Sequence, residues 1–180
     1  MRRLWAPWRM TYIQGEAAHD GPDEQAATTG ANPGTGCIFC DKAAEQRDAE
    51  NLILLRGERC FALMNLYPYN NGHLMVAPYA HVPGIQQLDA PTLTELMTTA
   101  QICLTALDAT MSPQGYNMGV NQGKVAGAGI ADHMHYHIVP RWDGDTNFMP
   151  VLADIKVMPD FLANTYQQLR EQLAKLGPRA

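Results

Sequence analysis

Cysteine is scarce in this chain, with four residues in 180. That is too few for the disulfide scaffold of a small secreted domain, and a reducing cytoplasm is the expected setting. Long apolar runs are missing as well: nothing approaches the roughly 20 consecutive apolar residues of a membrane span. The opening "MRRLWAPWRMTYI" is broken by Pro7, Trp8 and Arg9 and does not read as the apolar core of a signal peptide. Charge is thin, at 17% of residues with a net −5. There is no basic surplus for coating nucleic acid or an anionic membrane, so neither is an expected partner. The 46% hydrophobic content excludes a wholly disordered chain and suits one domain with a substantial core.

Three regions follow from composition. Residues 1–36 begin with an aromatic and basic arm (Trp5, Trp8 and Tyr12 beside Arg2, Arg3 and Arg9) and continue into a Gly-, Ala- and Pro-rich linker, 14–36. Residues 37–150 carry a globular pattern, and 151–180 form a helical extension. Within the globular part, Ile53–Arg56, Cys60–Asn65 and His73–Pro78 read as short strands. Gly57-Glu58 and Pro68–Gly72 break them, and the spacing is too short for helical crossovers, which predicts an antiparallel meander. A helix over 88–111 is predicted, N-capped by Asp89 with Pro91 in its first turn. Its apolar stripe is read as Leu93, Leu96, Met97, Ala100, Leu104, Leu107 and Met111. "GYNMGVN" (115–121) and "HMHYHIVPRW" (133–142) supply two more strands. Leu162, Tyr166, Leu169, Leu173 and Leu176 mark a C-terminal helix stopped by Gly177. The fold class is α+β: an antiparallel sheet with one long helix packed on it and a second helix at the end.

Histidine is also sparse, with six residues, yet three of them fall at 133, 135 and 137. On a strand these would share one face, with Met134, Tyr136 and Ile138 turned to the core. Neighbours would stand about 6.6 Å apart and the outer pair about 13 Å apart. A metal holds imidazole nitrogen at about 2.0–2.1 Å, so a straight strand does not let all three reach one ion. The spacing suggests a division of labour. A metal site or a row of histidines without a role competes with a central neutral imidazole acting as nucleophile or base, since histidine near its usual pKa of about 6.5 keeps a lone pair at neutral pH.

"HMHYHIVP" fits the His-x-His-x-His-x-x motif, with apolar x, and so resembles the histidine triad family of nucleotide hydrolases and transferases. "FALMNLYPYNNGHLMVAPYAH" resembles that family's substrate strands and "NQGKVAGAG" its phosphate loop, and the likeness covers roughly residues 37–150. "RLWAPWRMTYI", "NLYPYNNGHLMV" and "PRWDGDTNFM" are similar to the bacterial branch of diadenosine tetraphosphate phosphorylases, or ATP adenylyltransferases. The resemblance implies an adenine nucleotide or dinucleoside polyphosphate as ligand. His135 would attack the α-phosphorus to give a nucleotidyl-histidine, with His137 beside the phosphate. Asn121 would contact the bridging or leaving oxygen, and Gly127 and Gly129 the phosphates through backbone N–H groups. Asn65 would bind the ribose, and Leu63 and Leu66 the purine. One departure stands out: many members carry Ser or Thr just before the triad, and "KVAGAGIAD" (124–132) has neither. Lys124 and Arg141 are open between phosphate contact and ordinary surface charge.

"CIFC" (37–40) alone fits a redox dithiol, two buried thiols or half of a zinc site. The βαβ context of a thioredoxin-like dithiol is missing. The resemblance implies zinc, because some triad proteins and the related galactose-1-phosphate uridylyltransferases bind it through residues matching Cys37, Cys40, His81 and His133. Such a closed Cys₂His₂ set would be structural. Cys60 and Cys103 read as core, His73 as a hydrogen-bonding residue within the sheet, and His19 as part of the linker. Four functions compete: phosphorolysis of a dinucleoside polyphosphate, hydrolysis of such a substrate or of a purine phosphoramidate, a nucleotide sensor with incidental turnover, and a zinc-only structural module. Members of the family are commonly homodimers, and three aromatics in the arm are costly to leave exposed together, so a homodimer is expected.

Overall fold

Alternation of side chains in three short strands, each followed by a tight break, builds the first half of the sheet. In a computed structural model, which describes residues 36–146 and 158–176, β1 (Ile53–Arg56), β2 (Cys60–Met64) and β3 (Leu74–Pro78) form the antiparallel meander. After a long helix, β4 (Gly115–Val120) and β5 (Tyr136–Arg141) complete a five-stranded antiparallel sheet of order β1-β2-β3-β5-β4. The α+β class holds. The arm, the linker up to residue 35, His19 and Gly177 lie outside the described residues.

The helices are α1 (Ile38–Ala44), α2 (Ala90–Met111) and α3 (Leu162–Leu176). Asp89 caps α2 as its position suggested, accepting from the Thr92 N–H at 2.9 Å. The buried stripe of α2 differs from the expected one. It runs Thr92, Leu96, Thr99, Ala100, Cys103, Ala106 and Leu107, whereas Met97 is 48% exposed and Leu93 and Leu104 are half-buried. Small residues (Ala100, Cys103, Ala106) line this face and leave room for a closely packed sheet, so the packing follows size as well as hydrophobicity. No described helix is long and apolar enough to cross a membrane.

The pleat gives the sheet two different faces. Cys60, Ala62, Met64, Leu74, Val76 and Ile138 point toward α2 and α3 and form the main core with Leu96, Leu107, Tyr166 and Leu169. Phe61, Leu63, Met75 and Ala77 point the other way and pack with Phe39 of α1 in a second cluster. Cys60 and Cys103 are fully buried, and burial raises both thiols to about 12.

The third histidine is in the ladder, but the first two are not. β5 begins at Tyr136, so His133, at a bend, and His135 belong to the segment leading into the strand. Its partner ends in a proline, Pro78, which has no N–H for a ladder, and Met134 N–H bonds instead to Val82 O at 2.7 Å. The alternation nonetheless persists, with Met134 in the helix-side core and all three histidines buried on the opposite side.

Candidate functional site

The turn before β3 places the residue on which much of the site's proton arrangement depends. Gly72 adopts φ +70, a left-handed conformation that favours glycine. It delivers His73, fully buried, beneath β5. His73 Nδ1 accepts from the Tyr69 backbone N–H at 3.0 Å and from Asn65 Nδ2 at 3.3 Å. Its proton therefore sits on Nε2, which donates to His137 Nδ1 at 2.9 Å. His137 must then carry its own proton on Nε2. That atom is the buried side-chain polar atom that lacks a partner among the described residues.

His135 is held in the opposite tautomer. Its Nδ1 donates to the His133 backbone carbonyl at 2.9 Å, which leaves the lone pair on Nε2. The His135 and His137 rings meet edge to face at 4.7 Å and 71°. Two adjacent imidazoles are thus set as one acceptor and one donor. Burial lowers the pKa of both, that of His137 to about 4 with a further push from His135. Tyr69, 49% exposed, covers the pair, its ring 4.6 Å from His73 and 5.7 Å from His137. His73 and Tyr69 were not among the residues singled out for the site. The signal was present in "YNNGH", but residue type alone does not say that a strand histidine faces another histidine across the sheet.

Because the folded protein protonates His137 only near pH 4 and an unfolded chain does so near 6.5, the unfolded state binds more protons between these values. Stability is full above 6.5 and falls as pH drops through 4. The expected loss from this group is about 2–3 kcal/mol. Urea unfolding at pH 7 and pH 4 should give a pH-dependent difference smaller by about that amount in His137→Asn.

The first histidine is committed elsewhere. His133 Nε2 donates to Pro78 O at 2.9 Å, turning the Nδ1 lone pair toward two sulfurs: Cys37 Sγ at 3.3 Å and Cys40 Sγ at 3.5 Å. His81 Nδ1 lies 3.3 Å from Cys40 Sγ, and the four ligating atoms all lie within 4.8 Å of one another. A tetrahedral ion with usual zinc bond lengths sets S···N separations of about 3.5 Å, so the donor set fits one. The carbonyl of Pro78 fixes the His133 tautomer as outer partners of metal-bound histidines do. The CxxC heads a helix, α1, which the sequence reading did not anticipate, although no βαβ unit accompanies it.

The remaining candidates are dispersed around this centre. Asn65 is half-buried, its Oδ1 accepting from the Tyr67 N–H at 3.0 Å while its amide faces His73. Leu63 is 1% exposed in the second cluster and Leu66 is 52% exposed, so the two do not share a surface. Asn121 follows the end of β4, half-buried. Gly127 is left-handed (φ +86) at the end of the short turn Lys124–Ala126. Gly129 lines a cleft of about 310 Å³ with Cys37, His81, Lys124 and Asp132. Lys124 lines this cleft and is itself exposed. Arg141 is engaged by Asp145 (2.6 and 2.9 Å) and Asn117 (2.6 Å), which accounts for it as a strand-end clamp.

Comparison with known proteins bears on the family and the fold. The sequence profile of the HIT domain matches residues 46–144. An AP-4-A phosphorylase of Mycobacterium tuberculosis is 37% identical over 175 residues, covering 97% of this chain and 86% of that protein. A bis(5'-adenosyl)-triphosphatase of Dictyostelium discoideum is 34% identical over 127 residues, 70% of this chain and 83% of its own. Among solved structures, a zinc-bound histidine triad family protein from Mycobacterium smegmatis superposes with a TM-score of 0.60 at 23% identity, covering 78% of this chain and 95% of its own. With a profile match over more than half the chain and a relative aligned along nearly all of it, the protein belongs to the HIT, or histidine triad, family.

Proposed function

We propose that this protein is a nucleotidyl-transferring enzyme that cleaves dinucleoside polyphosphates by phosphorolysis through a covalent intermediate on His135. The observation that carries the reading is the pair of opposed tautomers: a lone pair on His135 Nε2 beside an unpartnered N–H on His137 Nε2. A nucleophile and a hydrogen-bond donor at 4.7 Å between rings are the two groups that displacement at phosphorus needs. His135 Nε2 forms a bond to the α-phosphorus as the bond to the leaving nucleotide's oxygen breaks. His137 Nε2–H donates to the oxygen on which charge develops. Inorganic phosphate then attacks the nucleotidyl-histidine, releasing a nucleoside diphosphate and restoring the imidazole. The M. tuberculosis relative's name favours phosphate over water as acceptor.

In the same reading Asn121 contacts the leaving oxygen, and Gly127 and Gly129 present backbone N–H groups to the phosphates. Asn65 meets the ribose and the exposed Leu66 meets the base, while Leu63, buried in the second cluster, supports that region from within the core. Cys37, Cys40, His81 and His133 hold zinc. When bound, the ion supplies a closed cross-link between α1, the end of β3 and the lead-in to β5. The working assembly is a homodimer.

Incubation with diadenosine tetraphosphate tests the reading. ADP with ATP, formed only when inorganic phosphate is present, is expected. AMP with ATP regardless of phosphate would replace phosphorolysis by hydrolysis, which the Dictyostelium relative's name favours. Absence of any turnover would sink the enzymatic reading.

A further inference from the structure

Between the two cysteines of α1 sits a residue whose surroundings are unlike those of an ordinary core phenylalanine. Phe39 is 1% exposed, and its ring meets His133 at 5.1 Å (41°) and His135 at 4.8 Å (34°). His135 has one ring nitrogen tied to the His133 carbonyl and one flank against His137. A single hydrogen bond leaves an imidazole free to rock about its own axis, and a flat ring packed against it removes that freedom. Phe61, in the same cluster and fully buried, stacks instead on Tyr79 at 5.2 Å and has no ring contact with a histidine among the described residues.

Helix α1 has only seven residues, too few to be stable by itself. It is held at both ends. The Arg56 guanidinium donates to the carbonyls of Ala43 and Glu45, each at 2.7 Å, at its C-terminal end. At its N-terminal end Cys37 and Cys40 join the cluster with His81 and His133. The placement of Phe39 therefore follows from that of the two cysteines flanking it.

We infer that Phe39 is a positioning residue that fixes the orientation of the His135 ring, and that the Cys/His cluster acts on the nucleophile by anchoring the helix that carries Phe39. This rests on the reading of His135 as nucleophile. A misplacement of about 1 Å at a reacting group can cost roughly 100-fold in rate. Phe39→Leu is therefore expected to lower kcat by about 10- to 100-fold and to leave KM within about threefold.

Phe61→Leu, which removes the same ring from the same cluster, is the control, and its kcat should stay within about threefold of the parent. Metal content is measured in each variant. The second readout is the nitrogen-15 resonances of the His135 imidazole, expected as a single Nδ1–H tautomer in the parent and in Phe61→Leu. Averaged, tautomer-mixed resonances are expected in Phe39→Leu, and also in the parent after chelation. Phe39→Met serves if Phe39→Leu does not fold, since it keeps volume and loses the flat ring. Equal losses of kcat in the two ring deletions, or unchanged His135 resonances in Phe39→Leu, would overturn the role of Phe39. Unchanged resonances after chelation would overturn the link to the cluster. If the parent turns over no nucleotide, the functional reading fails, and the resonances alone still decide whether Phe39 orients His135.

Discussion

Replacing His135 with alanine is expected to reduce cleavage of diadenosine tetraphosphate by at least about 10⁴-fold, the order of loss when a covalent nucleophile is removed. His135 Nε2 is the free lone pair of the histidine cluster: His133 has turned its lone pair to the sulfurs, and those of His73 and His137 are occupied by hydrogen-bond donors. No neighbour can take its place. The side chain is not part of the core on the helix side, so the sheet should survive the truncation. Thermal stabilisation by AMP, measured alongside, should persist in His135→Ala. Loss of binding together with loss of turnover would show that the variant had damaged the pocket. Retained turnover would eliminate His135 as the nucleophile.

The second large effect is expected on removing the metal. A structural zinc site in a small domain contributes about 10–16 kcal/mol of apparent binding energy, of which a fold whose main core lies on the helix side of the sheet should depend on only part. Chelation, or Cys37→Ser, should lower stability by about 3 kcal/mol or more, roughly 10 °C or more in melting temperature. The reason is local. His133 and Cys37 are buried, and the ion would tie the N-terminal end of α1 to the sheet, while Arg56 and Asn51 hold its other end. Differential scanning calorimetry with and without chelator, together with metal analysis of the purified protein, checks this. A melting temperature indifferent to chelation would mean that the four residues are a plain hydrogen-bonded cluster.

Much of this architecture was legible in the residues. The meander over 53–78, the Asp89 cap and the span of the last helix follow from period, turn chemistry and capping, which act within a few residues along the chain. The face of α2 was less legible, because Thr92, Thr99 and the small residues between the leucines became buried for reasons of closeness to the sheet. The CxxC is visible in the sequence, but His133 joined Cys37, Cys40 and His81 only through the family resemblance, because the CxxC alone fits several chemistries. His73 could not be placed, because its partner is 64 residues away and the contact depends on the β3–β5 register, Met75 opposite His137. The same holds for Phe39, an unremarkable aromatic until α1 folds across the histidine side of the sheet. The start of β5 turned on Pro78, whose missing N–H ends the ladder at Tyr136, three residues after His133, and whose carbonyl is left for that ring. Non-local pairing decides such points, and no window of sequence contains it.

The proton arrangement of the two central histidines has a consequence for ionic strength. Among the described residues His135 is held by a backbone carbonyl and His137 by a neutral imidazole, with no carboxylate hydrogen-bonded to either ring. An ion-paired histidine loosens as mobile ions screen its partner, over a Debye length of about 8 Å at 0.15 M. Uncharged dipoles in contact are not screened in this way. The pair keeps its acceptor and donor roles from dilute buffer to high salt, and any salt dependence of turnover then originates in the charges of the incoming polyphosphate.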